Sequence, residues 1–359
     1  MNYLDTCIDS VNNINKRIRG FAPDLLFNKY NSQMKRLESV LFLALLLTLT
    51  VKCQVENDSS RKDNKEQSSR DSTNMLPTTE ELMERIPGGL VFIPDIAYRQ
   101  GSDAWKLDLV MPGERGNEPR PALIMVHGGG WRGGDKRASR FFDPCIEFAL
   151  KGYVCITVNY RLLGEEADGI DDCITDVKCA VRWLRANAEE YNVDPDRFGG
   201  FGNSAGAHLV TMLGLCPKSA GMEGDGPYQE YSSMVQAVVT AATPANFMIP
   251  MSKKRRSAEQ DQQSQEEKST DQDKRRNRFE MSDEYKRKIS PLTYVNADAP
   301  PFLLFHEVSD PIVGVYQSDQ LVEALKDSGA HDVTYHRYED GSGHAVFFKN
   351  IAETGPMRE

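Results

Sequence analysis

Ser204 stands in Gly202-Asn203-Ser204-Ala205-Gly206, a G-x-S-x-G stretch. Such a stretch does chemistry only where a strand runs into it and a helix leaves it, because that sharp turn holds the serine hydroxyl out at the end of a sheet. The turn crowds the positions on either side of the serine, and glycine there removes the Cβ that would collide. A second chemical stretch is His127-Gly128-Gly129-Gly130-Trp131. Three consecutive glycines cost conformational entropy and are kept where backbone must approach something closely or turn its N–H groups outward. The N–H groups of Gly128, Gly129 and Ala205 would together receive a developing oxyanion, and one such donor is typically worth about 100- to 1,000-fold in rate. Trp131, closing the loop, is read as a substrate contact, and His127 as a brace for the loop rather than a base.

The elements needed to position these groups are legible around them. Val193-Asp194-Pro195-Asp196 reads as a turn, Arg197 to Phe201 as a short strand, and Ala205 to Leu215 as a helix with Leu209, Met212 and Leu213 on one face. Upstream, a short helix near Glu80 precedes two antiparallel strands, Leu90 to Ile96 and Trp105 to Met111. Ala122 to Val126 and Tyr153 to Val158 are apolar runs of the kind a strand buried on both faces requires. A helix over Arg140 to Leu150 separates them. A further helix carries Ile174, Val177, Val181, Leu184 and Ala188 on one stripe, with Asp171 and Asp172 at its positive end. Met234 to Ala241, Pro301 to Phe305 and Val333 to Tyr338 supply later strands. This alternation predicts an α/β fold whose mostly parallel sheet is flanked by helices, with its site at the carboxyl ends of the strands.

Composition narrows the reading. At 359 residues and a net charge of −10 the chain lacks the basic balance of a nucleic-acid binder. A folded core of about 270 residues would bury roughly three quarters of its unfolded surface. Met34-Lys35-Arg36 followed by the apolar run Val40 to Val51 and Lys52-Cys53 has the order of a secretory leader. Residues 1–33 are then an upstream extension, and 34–53 a signal implying export. The run of about 12 residues is short against the roughly 20 needed to span a bilayer, so membrane contact is expected only through that leader or a lipid on Cys53. Residues 54–79 are a polar linker and 80–359 the catalytic domain. Within it, 252–278, with Lys253-Lys254-Arg255-Arg256 and Lys274-Arg275-Arg276, reads as a solvated, disordered insertion in a small cap. The seven cysteines show neither disulfide nor zinc spacing, and no cofactor or metal is expected.

Taken together, His127-Gly128-Gly129-Gly130-Trp131, Asn159-Tyr160-Arg161-Leu162, the Asp176 to Ala186 helix and Gly202 to Leu209 resemble the α/β-hydrolase esterases of the hormone-sensitive-lipase and feruloyl-esterase-like (BD-FAE-like) type over about Leu90 to Lys349. The resemblance implies a serine carboxylester hydrolase whose acid and histidine follow the serine. Of the six histidines, His344 fits that order best, in a loop after the Val333 to Tyr338 strand. His208, one turn into the elbow helix, is read as a packing residue. Asp310, opening the loop after the Pro301 to Phe305 strand, is the acid, with Asp332 and Glu307 as substitutes. The chain departs from the pattern at Gly199 and Gly200, which weaken the strand before the elbow, and at Glu307 and Gly314.

The mechanism these residues imply is acyl transfer by Ser204, His344 and Asp310, with the oxyanion held at Gly128, Gly129 and Ala205. The substrate is then a short-chain or carbohydrate-linked ester. A peptidase of the same fold would share the triad but usually carries a large extra domain. A catalytically silent binding module would need the triad broken.

Overall fold

The structure, a computed structural model, describes residues 76–252, 281–339, 341, 343 and 344. The expected extension, leader and most of the linker lie outside these residues, as does the insertion apart from Ser252, which is buried. Helix α1 (Thr79–Arg85) starts one residue inside the expected linker because Thr78 and Glu81 form a reciprocal capping box that satisfies two of the free N–H groups at its start.

An eight-stranded sheet follows in the order β1-β2-β4-β3-β5-β6-β7-β8. The strands are β1 (Leu90–Ala97), β2 (Lys106–Pro112), β3 (Arg120–Val126), β4 (Val154–Val158), β5 (Val193–Asn203), β6 (Ala237–Ala241), β7 (Phe302–Glu307) and β8 (Val333–Tyr338). The β1–β2 and β2–β4 pairs are antiparallel, and every later pair is parallel. β4 and β7 are buried along their whole length, as their largely apolar runs require. The helices between them are α2 (Ser139–Leu150), α3 (Ile170–Ala186), α4 (Ala205–Leu215), α5 (Asp283–Ile289) and α6 (Tyr316–Asp327). This is the mostly parallel, helix-flanked sheet predicted from the alternation of elements.

Three details differ from expectation, each for a physical reason. The expected turn Val193-Asp194-Pro195-Asp196 lies within β5, as an irregularity at its start. Arg120 pairs with Val193 but Ala122 with Phe198, and the Asp194 carboxylate accepts from Asp196 N at 3.0 Å and Arg197 Nε at 2.6 Å. Gly199 and Gly200 do not loosen β5. A Cβ on the first would stand 2.9 Å from Leu123 Cδ2 and on the second 3.1 Å from Val210 Cβ, so their bareness lets neighbouring side chains close onto the strand. β6 begins at Ala237 because the chain before it is engaged by α3: Arg185 donates to Met234 O at 3.0 Å, and Ser233 Oγ accepts from Lys178 at 3.1 Å.

Helix α3 is also more deeply buried than a simple amphipathic stripe. Lys178 and Arg182 are 0% and 1% exposed, and both pair with Glu223, Lys178 Nζ at 2.7 Å. Asp176 receives Arg161 through Nε and a second guanidinium nitrogen at 2.9 Å each. Its polar side is thus roofed by residues 222–233 and sealed by ion pairs. Such charges persist inside only with their hydrogen-bonding capacity filled.

Candidate active site

Ser204 joins β5 to α4 with φ 51° and ψ −121°, a strained backbone for a residue with a Cβ. The neighbouring glycines show what permits it. A Cβ on Gly202 would lie 2.5 Å from the Gly206 backbone, and one on Gly206 would lie 2.8 Å from His127 O while overlapping Val126 O. The serine is therefore half-exposed at the carboxyl edge of the sheet, beside the end of β3.

The two residues predicted to follow it arrive there from later loops. His344 Nε2 lies 2.9 Å from Ser204 Oγ, and its Nδ1 lies 2.8 and 3.0 Å from the two Asp310 carboxylate oxygens. A carboxylate only accepts, so Nδ1 carries the proton and Nε2 is left to accept from the serine hydroxyl. Asp310 Oδ1 also accepts from the N–H groups of Ile312 and Val313 at 2.8 and 3.0 Å. Burial opposes the Asp310 charge. The hydrogen bonds of His306 and His344, together with the Ile312 N–H, outweigh it and hold the carboxyl well below its usual range. Asp310 does not cap α6, which has no side-chain cap.

Neither substitute acid reaches the imidazole. Asp332 sits where its carbonyl accepts from Phe302 N, at the amino end of β7 and β8, the wrong edge of a parallel pair. Glu307 ends β7 on the right edge, but its carboxylate accepts from Ser309 Oγ at 2.7 Å.

The glycine loop faces the elbow. Gly128 is half-buried, and a Cβ there would stand 2.6 Å from Asn203 Oδ1 and 3.3 Å from Ser204 Cβ. Gly129 and Gly130 are exposed, with φ of 128° and 62°. Among the described residues, no loop or cap hydrogen bond uses the N–H of Gly128, Gly129 or Ala205. His127 is buried and neutral. Its Nδ1–H donates to Gly128 O at 2.9 Å, and burial lowers its pKa. Trp131 is half-exposed at φ 58°, its ring 5.6 Å from that of Phe247. No group of histidine, cysteine, aspartate or glutamate among the described residues is arranged to hold a metal.

Several further residues serve this site in roles that the motifs alone do not specify. Tyr160 stacks on His127 at 4.4 Å and donates to its carbonyl at 2.9 Å. Asn159 accepts from Lys136 N at 2.6 Å and donates to Asp135 at 2.9 Å, pinning the far end of the glycine loop. His306 Nε2 approaches Asp310 to 3.5 Å while donating to Val313 O at 2.8 Å. Asn159 and Tyr160 belong to the stretch that carries the resemblance, whereas the signal for His306 was only its place at the carboxyl end of a buried strand, where a sheet of this kind builds its site.

Comparison with known proteins places this geometry. The chain is 30% identical over 247 residues to Esterase LipQ of Mycobacterium tuberculosis, an alignment covering 67% of this chain and 54% of LipQ. The chain thus spans about half the length of the curated relatives it matches. Among solved structures it is similar to Thermogutta terrifontis esterase 2 phosphonylated by sarin, with TM-score 0.58 and 25% identity over 74% of this chain and 90% of that one. The same esterase with propionate bound gives TM-score 0.56, 25% identity, and 74% and 89% coverage. The BD-FAE family model matches residues 107–325, from the start of β2 to the last turns of α6 and so across both glycine motifs and Asp310, and the chain belongs to the BD-FAE family of α/β-hydrolase fold proteins.

Proposed function

We propose that the protein is a serine carboxylester hydrolase working by two-step acyl transfer. The observation that carries this reading is the continuous relay from Ser204 Oγ through His344 to Asp310, at 2.9 and 2.8 Å, opening beside the glycine loop. Ser204 Oγ attacks the ester carbonyl carbon while His344 Nε2 takes its proton. The carbonyl oxygen becomes an oxyanion that the N–H groups of Gly128, Gly129 and Ala205 receive. Asp310 stabilises the imidazolium, which returns its proton to the departing alkoxide as the acyl–serine forms. Water then attacks the acyl-enzyme with His344 as base, releasing the acid and regenerating Ser204.

Short acyl groups are the favoured substrates, on simple alcohols or on carbohydrate. The propionate complex of Thermogutta terrifontis esterase 2 supports the first feature, and its phosphonylation by sarin supports a nucleophile open to organophosphorus reagents. The test is fluorophosphonate labelling and p-nitrophenyl ester hydrolysis by wild type and Ser204→Ala, with acyl chains of increasing length. The variant is expected to lose both signals, and turnover retained by a folded Ser204→Ala would end the proposal. Acetylated sugars and peptide substrates on the same sample separate a carbohydrate esterase from a peptidase.

A further inference from the structure

His208 lies one turn beyond Ser204 on α4, fully buried, its N–H donating to Ser204 O at 3.1 Å. The acyl-transfer steps do not use its imidazole, yet both ring nitrogens are engaged. Nε2 lies 2.7 Å from Ile289 O, and since a carbonyl only accepts, Nε2 carries the proton. Nδ1 is then an acceptor, and the Trp131 indole N–H donates to it at 3.3 Å. Burial lowers the His208 pKa to about 4, so this neutral tautomer is the working form at neutral pH.

These bonds connect parts of the chain that must hold register. Trp131 ends the glycine loop at φ 58°, a conformation a tryptophan does not keep unless its surroundings impose it. Its surroundings are the His208 ring edge-on at 5.4 Å, the Phe247 ring at 5.6 Å, and Leu163, whose N–H donates to Trp131 O at 2.7 Å. Ile289 is the last residue of α5, and Phe247 also meets His208 at 5.1 Å. One imidazole thus ties the loop of oxyanion donors to the helix of the nucleophile, and both to α5.

We infer that His208 is a positioning residue for acyl transfer, fixing the Gly128 and Gly129 N–H groups relative to Ser204 through its hydrogen bond with Trp131. Geometry of this kind is expensive to lose: misplacing a group by about 1 Å costs on the order of 100-fold in rate. The catalytic part rests on the esterase reading, and the hydrogen-bond part does not.

The test therefore has two readouts. The protein has three tryptophans, so 15N-tryptophan labelling gives few indole signals, and that of Trp131 is identified by its loss in Trp131→Phe. In wild type this N–H exchanges slowly, in His208→Ala it exchanges fast, and in His208→Gln, whose amide offers one acceptor and one donor, slow exchange returns. In kinetics on p-nitrophenyl acetate, His208→Ala lowers kcat about 10- to 100-fold with KM little changed, by the same loss of alignment. His208→Gln retains most of kcat. Trp131→Phe keeps the ring and lowers kcat as His208→Ala does, and the double variant is no slower than either single one.

Equal indole exchange in wild type and His208→Ala overturns the proposal. So do kinetic losses that multiply, or a Trp131→Phe effect confined to KM, which would make Trp131 a substrate contact alone. If His208→Ala does not fold, His208→Leu, which fills the space without an acceptor, takes its place in both readouts, with equal indole exchange again overturning the proposal. Loss of all ester turnover by wild type would instead strike the esterase reading, with the exchange data still deciding the hydrogen bond.

Discussion

Replacing Asp310 by asparagine probes the relay where its chemistry is most constrained. The carboxylate occupies a site made entirely of donors. Oδ1 takes the N–H groups of Ile312 and Val313, and Oδ2 faces His344 Nδ1 at 2.8 Å with His306 Nε2 at 3.5 Å. Asparagine has one acceptor atom for this ring of donors. Turning its amide toward Ile312 and Val313 would leave buried donors unsatisfied at about 1–3 kcal/mol each, so its oxygen takes the Oδ1 position and its NH2 faces His344. His344 then accepts at Nδ1 and carries its proton on Nε2, pointing at Ser204 Oγ 2.9 Å away. The serine has lost its base. In a triad this tautomer error costs on the order of 10⁴-fold in kcat, or about 5.4 kcal/mol of transition-state stabilisation. Because the folded Asp310 pKa is depressed, its ionised form stabilises the fold above the unfolded carboxyl pKa of about 3.9, and that contribution is lost as pH falls through the folded value. Asp310→Asn should therefore be less stable than wild type at neutral pH, with the difference closing progressively below about pH 4. The assay is p-nitrophenyl acetate turnover normalised to folded protein, with urea denaturation at several pH values. A variant keeping more than about a tenth of wild-type kcat would refute the assignment of the acid.

Other predictions follow from contacts that glycine and ion pairing make possible. Gly206→Ala should lose both activity and stability, since its Cβ would meet only backbone of Val126 and His127, which cannot swing aside; a normal denaturation midpoint would show that the elbow yields more easily than its packing implies. Gly128→Ala should fold but lower kcat by about 100-fold, as Asn203 and Ser204 push the loop from the nucleophile, and steady-state kinetics check it. Glu223→Gln leaves Lys178 and Arg182 buried without their counter-charge and should cost about 3–5 kcal/mol in urea denaturation; a loss below about 1 kcal/mol would mean that water reaches α3.

Much of the fold was legible because its strands are chemically unambiguous. β3, β4 and β7 are apolar runs bounded by turn chemistry, and only a sheet covered on both faces accommodates them in succession. The spatial grouping of Ser204, His344 and Asp310 followed from chain order on that sheet. Less visible was everything that depends on one segment covering another. The sequence of α3 shows charges at Asp176, Lys178 and Arg182 that a periodicity argument assigns to solvent, whereas residues 222–233 fold over Lys178 and Arg182 and supply Glu223, and Arg161 pairs with Asp176. Gly199 and Gly200 read locally as weakness, but the crowding by Leu123 and Val210 comes from distant parts of the chain.

The same contrast explains why the site needs so much of its surroundings. Ser204 and Trp131 both hold positive φ, and each such residue costs on the order of 1–3 kcal/mol that local sequence does not offset. At Ser204 the offset is steric, since Gly202 and Gly206 let β5, α4 and the end of β3 close on the turn. At Trp131 it is directional, through the indole bond to His208 and the Leu163 N–H. A steric lock tolerates no added atom, whereas a hydrogen-bonded one tolerates any side chain with the right donor and acceptor. Substitutions around Ser204 should therefore act by size, and those around the glycine loop by hydrogen-bonding pattern: Gly206→Ala fails where His208→Gln survives.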